Sequence, residues 1–590
     1  VKRGDFSVDS RLLRPLIISL GIGAIAAGIA LALITLINIF SNLFFFGNLS
    51  TASTSPAANH LGLWVIAVPA IGGLIIGLIA RFGSERIRGH GIPEALEAIL
   101  FGKSIMEPKV AVLKPLSSAI SIGSGGPFGA EGPIIMTGGA IGSLVGQLFH
   151  LTASERKTLL VAGAAAGMSA VFASPVAAIL LAVELLLFEW KPRSLIPVAA
   201  ASITASALRP FLLGAGPVFP LQIHAEVNIW GLLICCGVGV VAGLFSAATS
   251  ALLYKVEDFF HRLPFHWMWW PAIGGLVVGI GGFFQPRALG VGYDVIQQLL
   301  RGEMLATAAL ALLSVKSLIW VISLGSGTSG GVLAPLLMMG CGLGVVEAAI
   351  LPEMYRGLYP LISMAAVMGG MMRAPFTAVF FALELTHDLD ALVPALAATI
   401  AAYAVTTLIM KRSILTEKVA RRGYDIFREY GVDPLETVRV DQVMTRTVET
   451  IRASADINST ESTYFGQGIK FRGYPVVDDV GNLEGLITAS DILTNRLQHD
   501  VTVECVGDLP RKQLITAYSH ESCREAAEKM ASFGIGRLPV VAIENPKTLL
   551  GIITRSDLLK PRLSHHELEL KRERIISFGK AVAESANAKE

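Results

Sequence analysis

The chain has 590 residues, 53% of them hydrophobic and only 16% charged, with a net charge of +2. That balance, with a positive mean hydropathy, excludes an ordinary soluble protein and fits one that crosses a membrane many times. Near-neutrality gives no reason to expect a nucleic-acid partner, and the five cysteines have neither metal-ligand spacing nor a disulfide pattern.

In chain order, a basic N-terminal segment (1–14, with Lys2, Arg3, Arg11 and Arg14) precedes an apolar run from about Leu16 to Leu36. The run is too long for a signal-peptide core. It reads as a first membrane helix with its basic end held in the cytoplasm. Further apolar stretches follow near 62–80, 134–150, 157–188, 196–214, 228–252, 268–284, 305–324, 332–351, 361–386 and 391–410. Several are short or broken by Gly and Pro. Lipid tolerates such breaks only where they are buried in protein or line a cavity, so the pattern points to transport rather than anchoring.

Two glycine-rich stretches, Ile122 to Pro133 and Leu324 to Pro335, each lead into an apolar segment. They share Gly123/Gly325, Ser124/Ser326, Gly125/Gly327, Gly129/Gly331 and Pro133/Pro335, and they place Leu333 opposite the single carboxylate, Glu131. Glycine lets backbone N–H groups approach a ligand without Cβ obstruction. A helix start adds unpaired donors and partial positive charge. Such a pair suits an anion held at mid-membrane by amides. Two more blocks repeat in the same order: Gly89 to Pro93 with Gly290 to Asp294, and Ser174 to Leu185 with Ala374 to Leu385. Three blocks argue for duplicated halves, about 15–215 and 228–412 within a membrane domain of 15–412.

Lys411, Arg412, Lys418, Arg421 and Arg422 follow the last apolar run and place what comes after it in the cytoplasm. A linker is expected over 413–437. Two α/β units then occupy 438–499 and 500–565, each with a strand, a turn, a strand and a capped helix: Tyr474 to Asp491, and Leu538 to Asp557. A charged tail closes the chain over 566–590.

The membrane part resembles the CLC chloride channels and proton-coupled chloride exchangers. The resemblance rests on Gly89-His90-Gly91-Ile92-Pro93 (family G-S-G-I-P), Gly129-Ala130-Glu131-Gly132-Pro133 (family G-x-E-G-P) and Gly331-Val332-Leu333-Ala334-Pro335 (family G-x-F-x-P), in that order. The two C-terminal units resemble a pair of CBS modules. The resemblance implies an all-α polytopic membrane fold of inverted repeats of broken helices, followed by a cytoplasmic α/β CBS pair. It also implies homodimers with a pore in each subunit. On that pattern Glu131 is the gate where proton and chloride movement meet. Chloride is then bound by His90, Gly91, Ile92, Gly129, Ala130, Gly132, Val332 and Leu333.

Three positions depart from the family. His90 stands where a serine helps bind chloride. Its imidazole either donates to the anion, making binding pH-dependent, or turns away and leaves the loop amides to bind. Leu415 occupies the place of a pore tyrosine, with Tyr403 and Tyr424 the nearest phenols in sequence. Leu185 occupies the place of an internal proton-transferring glutamate. Glu189 is expected beside Lys191 and Arg193 rather than on a proton path. Glu184 and Glu384, being repeat-equivalent, are expected to bond backbone at helix ends. In the CBS pair, Asp491 and Asp557 match ribose-binding positions, with Thr488 and Thr554 near phosphates. They either hold a regulatory adenine nucleotide or cap the following helix.

The expected function is chloride transport in a bacterial inner membrane, with exchange for protons favoured. A passive channel, or a transporter with altered selectivity for nitrate or fluoride, is the alternative. A cation transporter would want convergent carboxylates at depth, and an intramembrane protease a Ser/His or paired-Asp arrangement. Neither pattern is present in the sequence. No enzyme activity, metal or obligatory cofactor is expected.

Overall fold

The computed structural model describes residues 12–223, 227–424, 426, 433–466, 471–497, 504–509 and 513–561. Lys2, Arg3 and Arg11 and the charged tail expected over 566–590 lie outside them. The chain forms two compact units, Val1–Glu429 and Tyr430–Glu590.

The first unit is helical. Its first half contains α1 (Leu13–Phe46), α2 (Ala67–Phe82), α3 (Ile92–Leu100), α4 (Pro108–Gly123), α5 (Glu131–Leu148), α6 (Ala153–Phe172), α7 (Pro175–Leu181) and α8 (Pro192–Leu212). Its second half repeats the series with α9 (Ile229–His261), α10 (Trp270–Phe284), α11 (Tyr293–Leu300), α12 (Ala306–Gly325), α13 (Leu333–Glu347), α14 (Tyr359–Met372), α15 (Pro375–Thr386) and α16 (Leu392–Ile409). A last helix, α17 (Ile414–Arg421), follows. Seven helical stretches among the described residues are long and apolar enough to cross a membrane. The centre of the unit is α6 and α14: from Thr158 to Phe172, and throughout α14, every residue is buried. That suits helices apolar on all sides.

Equivalent residues of the two halves exchange contacts. A Cβ on Gly73 of α2 would lie 2.2 Å from the Pro271 carbonyl oxygen of α10, and one on Gly275 of α10 would lie 2.2 Å from the Pro69 carbonyl oxygen of α2. Glycine is what lets these two helices cross backbone to backbone. Gly129 and Gly331, also equivalent, pair directly with each other in an antiparallel bridge. When residue i meets j′ and i′ meets j, the halves are related by a pseudo-two-fold axis. The halves differ after α7 and its equivalent α15. After α7 the turn widens into a π-helix over Ala182–Leu187, whereas α15 stays α-helical to Thr386.

Sequence boundaries shift in three places. The first helix extends to Phe46 because the apolar run continues past Leu36. The stretch 157–188 is split by Ala173, whose left-handed backbone ends α6. Residues 413–421, expected as the start of a linker, form α17 instead. Ser413 caps it through the Thr416 N–H, and Ile414, Leu415 and Val419 are fully buried in packing that includes α3 and α14. Its charged residues mask that apolar face, which only packing reveals.

In the second unit, α18 (Pro434–Thr437) and α19 (Val440–Val443) precede two three-stranded sheets of the same build. The first contains β1 (Ile451–Arg452), β2 (Gly473–Val477) and β3 (Leu483–Thr488), with α20 (Ile457–Tyr464) and α21 (Ala489–Leu497). The second contains β4 (Ala517–Tyr518), β5 (Arg537–Val541) and β6 (Leu549–Thr554), with α22 (Cys523–Ser532). In each the short strand is parallel to the middle one, which is antiparallel to the third. Pro475 and Pro539 are tolerated in the middle strands because β1 and β4 begin pairing only at Val476 and Val540. The two α/β units are interlocked: Arg439 of the first bridges to Ser522 of the second, and Asp456 to Cys505.

Candidate functional site

Three helix starts meet in the first unit. The backbones of Gly129 and Gly331 exchange N–H···O bonds of 3.2 and 2.9 Å, joining the loops that open α5 and α13. The Gly89 N–H bonds the Thr328 carbonyl at 3.1 Å, bringing in the loop that opens α3. A Cβ on Gly132 would lie 2.1 Å from the His90 carbonyl oxygen and 3.0 Å from Gly331 Cα, so glycine sets how closely the loops approach. Gly91, with φ of 88°, is the left-handed residue before Ile92 and α3. Ala130 and Val332 precede the first residues of α5 and α13, Glu131 and Leu333. The loops carrying His90, Gly91, Ile92, Gly129, Ala130, Gly132, Val332 and Leu333 are therefore gathered in one place.

Glu131 is fully buried at this junction. Its Oε1 accepts the N–H of Ala334, at the start of α13, at 2.7 Å. Its other oxygen, Oε2, is buried and has no hydrogen-bond partner among the described residues. The carboxylate thus lies at the positive end of its own helix and of its repeat partner, where backbone donors favour negative charge. His90 is 2% exposed, and its Nδ1 has no partner among the described residues.

Two buried lysines brace the loops, and sequence reasoning missed both. Lys114 Nζ donates to the carbonyls of Ile87 and Gly89, each at 2.8 Å, and to Ser329 Oγ at 3.0 Å. Lys316 Nζ donates to the carbonyls of Ala288 and Gly290 at 2.9 and 2.8 Å. The two lysines are repeat-equivalent. Lys316 is the one cation of α12 and Lys114 the inner of two on α4, a signal that was available because such residues mark buried polar networks.

Glu184 and Glu384 cap helices across the repeat. Glu184 accepts from the N–H groups of Phe376 and Thr377 at 3.2 and 2.8 Å, and from Thr377 Oγ1 at 2.6 Å. Glu384 accepts from the N–H groups of Val176 and Ala177 at 2.9 and 2.8 Å. Leu185 is fully buried in the π turn. Glu189 pairs with Lys191 at 3.4 Å and Lys157 at 3.9 Å, and accepts from Ser194 Oγ at 3.1 Å. Leu415 is fully buried in the first turn of α17. Tyr403 lies on α16, and Tyr424 stacks on Phe101 beyond the end of α3.

A cavity of about 1050 Å³ opens beside α3 and α17, lined by charged residues including Arg88, Glu94, Glu257, Lys418 and Arg422, and reaching Met136 of α5. Arg422 donates to Glu94 at 2.6 Å and to Glu97 at 2.7 Å. This ion-pair cluster also escaped the sequence reading, because residues near 94 and 422 are brought together only by folding.

In the second unit, Asp491 Oδ2 accepts the Thr488 N–H at 2.9 Å, and Asp557 Oδ2 accepts the Thr554 N–H at 2.8 Å. Each aspartate also takes the threonine hydroxyl, closing the turn after its strand. Arg537 donates to the Gly473 carbonyl at 3.3 Å, close to the Thr488 side chain.

A helical domain of two halves related by a pseudo-two-fold, with glycine-opened helix starts around a buried junction, is the build of a multi-pass membrane transport protein. Residues 72–407 match the voltage gated chloride channel family, and residues 440–497 and 506–563 each match the CBS domain. The chain belongs to the voltage gated chloride channel family and carries a C-terminal CBS pair. An H(+)/Cl(-) exchange transporter, ClcA, of Salmonella paratyphi B is 28% identical over 333 residues, 54% of this chain and 70% of that protein. Among solved structures, a slow cyanobacterial Cl-/H+ antiporter aligns with a TM-score of 0.63 at 21% identity, covering 69% of this chain and 98% of the other. A eukaryotic CLC transporter aligns with a TM-score of 0.59 at 18% identity, covering 93% and 98%. The fold is thus that expected: an all-α polytopic membrane domain followed by an α/β CBS pair.

Proposed function

We propose that this protein exchanges chloride for protons across a membrane, with Glu131 as the gate. The observation that carries the reading is the Glu131 carboxylate lodged between the starts of α5 and α13, bonded to the Ala334 N–H. Ionised, it occupies the place of an anion and blocks the path. Protonated, it loses its hold on the backbone donors and yields that place to chloride. Neutral amides can replace the hydration of chloride without the trapping that a fixed cation would cause. The relative from Salmonella paratyphi B is named for H(+)/Cl(-) exchange, which supports the same coupling here.

The chloride path runs past the loop amides at 90–92, 129–132 and 332–333. His90 stands beside it with a ring nitrogen that has no partner among the described residues, and its imidazole is bulkier than the family's serine hydroxyl. In this reading the protein is a homodimer in a bacterial inner membrane with cytoplasmic termini. In the CBS pair the engagement of Asp491 and Asp557 by their own threonines favours the capping role. Arg537 supplies the cation that a nucleotide phosphate beside Thr488 would need, and calorimetry with ATP decides between the two.

Leu185 favours a second reading, a passive channel of the same fold, because no carboxylate stands at that inner position. Reconstitution into liposomes with simultaneous chloride and proton readout separates the readings. Chloride driven uphill by a pH gradient supports exchange. Flux that reverses at the chloride potential regardless of pH overturns it. Competition by nitrate and fluoride in the same vesicles reads selectivity.

A further inference from the structure

Helices α9 and α16 run side by side in the same direction. A Cβ on Gly239 would lie 2.0 Å from the Ala398 carbonyl oxygen, and one on Gly243 would lie 3.0 Å from that of Ala402. Beyond this close crossing a cavity of about 440 Å³ opens between the C-terminal parts of the two helices. One wall is Leu244, Ala248 and Ala251 of α9, exposed residues spaced four and three apart and so on one helix face. The other is Ile409 and Met410 at the end of α16.

Two cations stand where the apolar walls end. Lys411, Arg412 and the Glu417 carboxylate line the cavity, which leaves one net positive charge at its rim, and both cations are exposed. Arg412 pairs with Glu417 at 3.7 Å. Lys411 has no ion-pair partner among the described residues. The backbone beneath them is fixed, because the Arg373 guanidinium donates to the carbonyls of Thr406, Met410 and Lys411. Tyr254 closes the inner end and donates its hydroxyl to the Ile414 carbonyl at the start of α17.

An apolar slot that ends in excess positive charge just past the last membrane helix matches one kind of ligand, a lipid with an anionic headgroup. We propose that this cavity is a binding site for an anionic phospholipid, its phosphate held by Lys411 and Arg412 and an acyl chain lying along Leu244, Ala248 and Ala251. The slot contributes the selectivity for a lipid over a free anion, and the arginine fork suits a phosphate. Through Tyr254 the bound lipid abuts α17, the helix that carries Leu415.

The test is native mass spectrometry of the full-length protein purified from vesicles of phosphatidylcholine with phosphatidylglycerol. The wild type is expected to retain phosphatidylglycerol over phosphatidylcholine. The double variant Lys411→Ala/Arg412→Ala is expected to lose roughly tenfold or more of it. Ala248→Trp, which fills the slot and leaves the cations in place, is expected to lose it as well. Lys109→Ala, an exposed cation on α4 away from the cavity, is expected to keep it. Elution volume and melting temperature identify any variant that fails to fold, and the two site variants act by different means. Equal loss in Lys109→Ala, retention in both site variants, or displacement of the lipid by millimolar inorganic phosphate alone overturns the proposal.

Discussion

Glu131 Oε1 accepts the backbone N–H of Ala334 at 2.7 Å, so the only acid of the first glycine stretch reaches across the pseudo-two-fold to the start of the other repeat's helix. Its equivalent in the second repeat is Leu333, which has no charge to return. The duplicated frame is symmetric, and the chemistry at its centre is not. One carboxylate meets two helix starts, and the same donors that hold it are those that would hold chloride.

Glu131→Gln keeps an oxygen that can accept from Ala334 and removes the charge and the exchangeable proton. Proton movement is expected to fall to the background of empty vesicles while chloride flux persists. The paired chloride and proton readout in liposomes checks it. Continued proton pumping in this variant would exclude the assigned role.

His90→Ser replaces an imidazole with a neutral hydroxyl. Burial holds the ring neutral, so if it donates to the anion it does so through a neutral N–H, and the serine variant changes chloride affinity at every pH. Chloride titrations by calorimetry across pH 5 to 8 read it. Identical profiles would mean that the ring faces away and the amides bind alone.

Glu184→Ala and Glu384→Ala each leave two helix-start N–H groups, one of them part-buried, without their acceptor. Each is expected to cost about 1–3 kcal/mol per orphaned donor, read as a fall in melting temperature in detergent. Because the role is structural, the proton-to-chloride ratio of the folded fraction is expected to stay at the wild-type value. A changed ratio in Glu184→Ala would place that carboxylate on the proton path.

Lys114→Met removes the ammonium that ties Ile87, Gly89 and Ser329 together beside the junction. Charge-assisted bonds of this kind contribute about 1.5–3 kcal/mol each, so the variant is expected to be strongly destabilised and to bind chloride more weakly. Lys316→Met removes two such bonds and is expected to destabilise less. Melting curves and chloride binding on the same samples test the order.

The linear order of residues determined a good deal. Apolar runs broken by glycine and proline, three repeated blocks and the Glu131 motif can all be read locally, because helix formation and glycine's missing Cβ act over a few residues. So can the hairpins at Tyr474 and Leu538, whose Pro-Val-Val strands and Gly-Leu-Ile or Gly-Ile-Ile partners pair through short turns. Other features came only with the tertiary structure. The exchange of caps by Glu184 and Glu384, the bracing by Lys114 and Lys316, the Glu94–Arg422 pair and the burial of α17 all join residues far apart in the chain. A buried charge is stable only where its partners are already in place. Which partners those are is decided by how the two halves pack, not by anything written beside the residue itself.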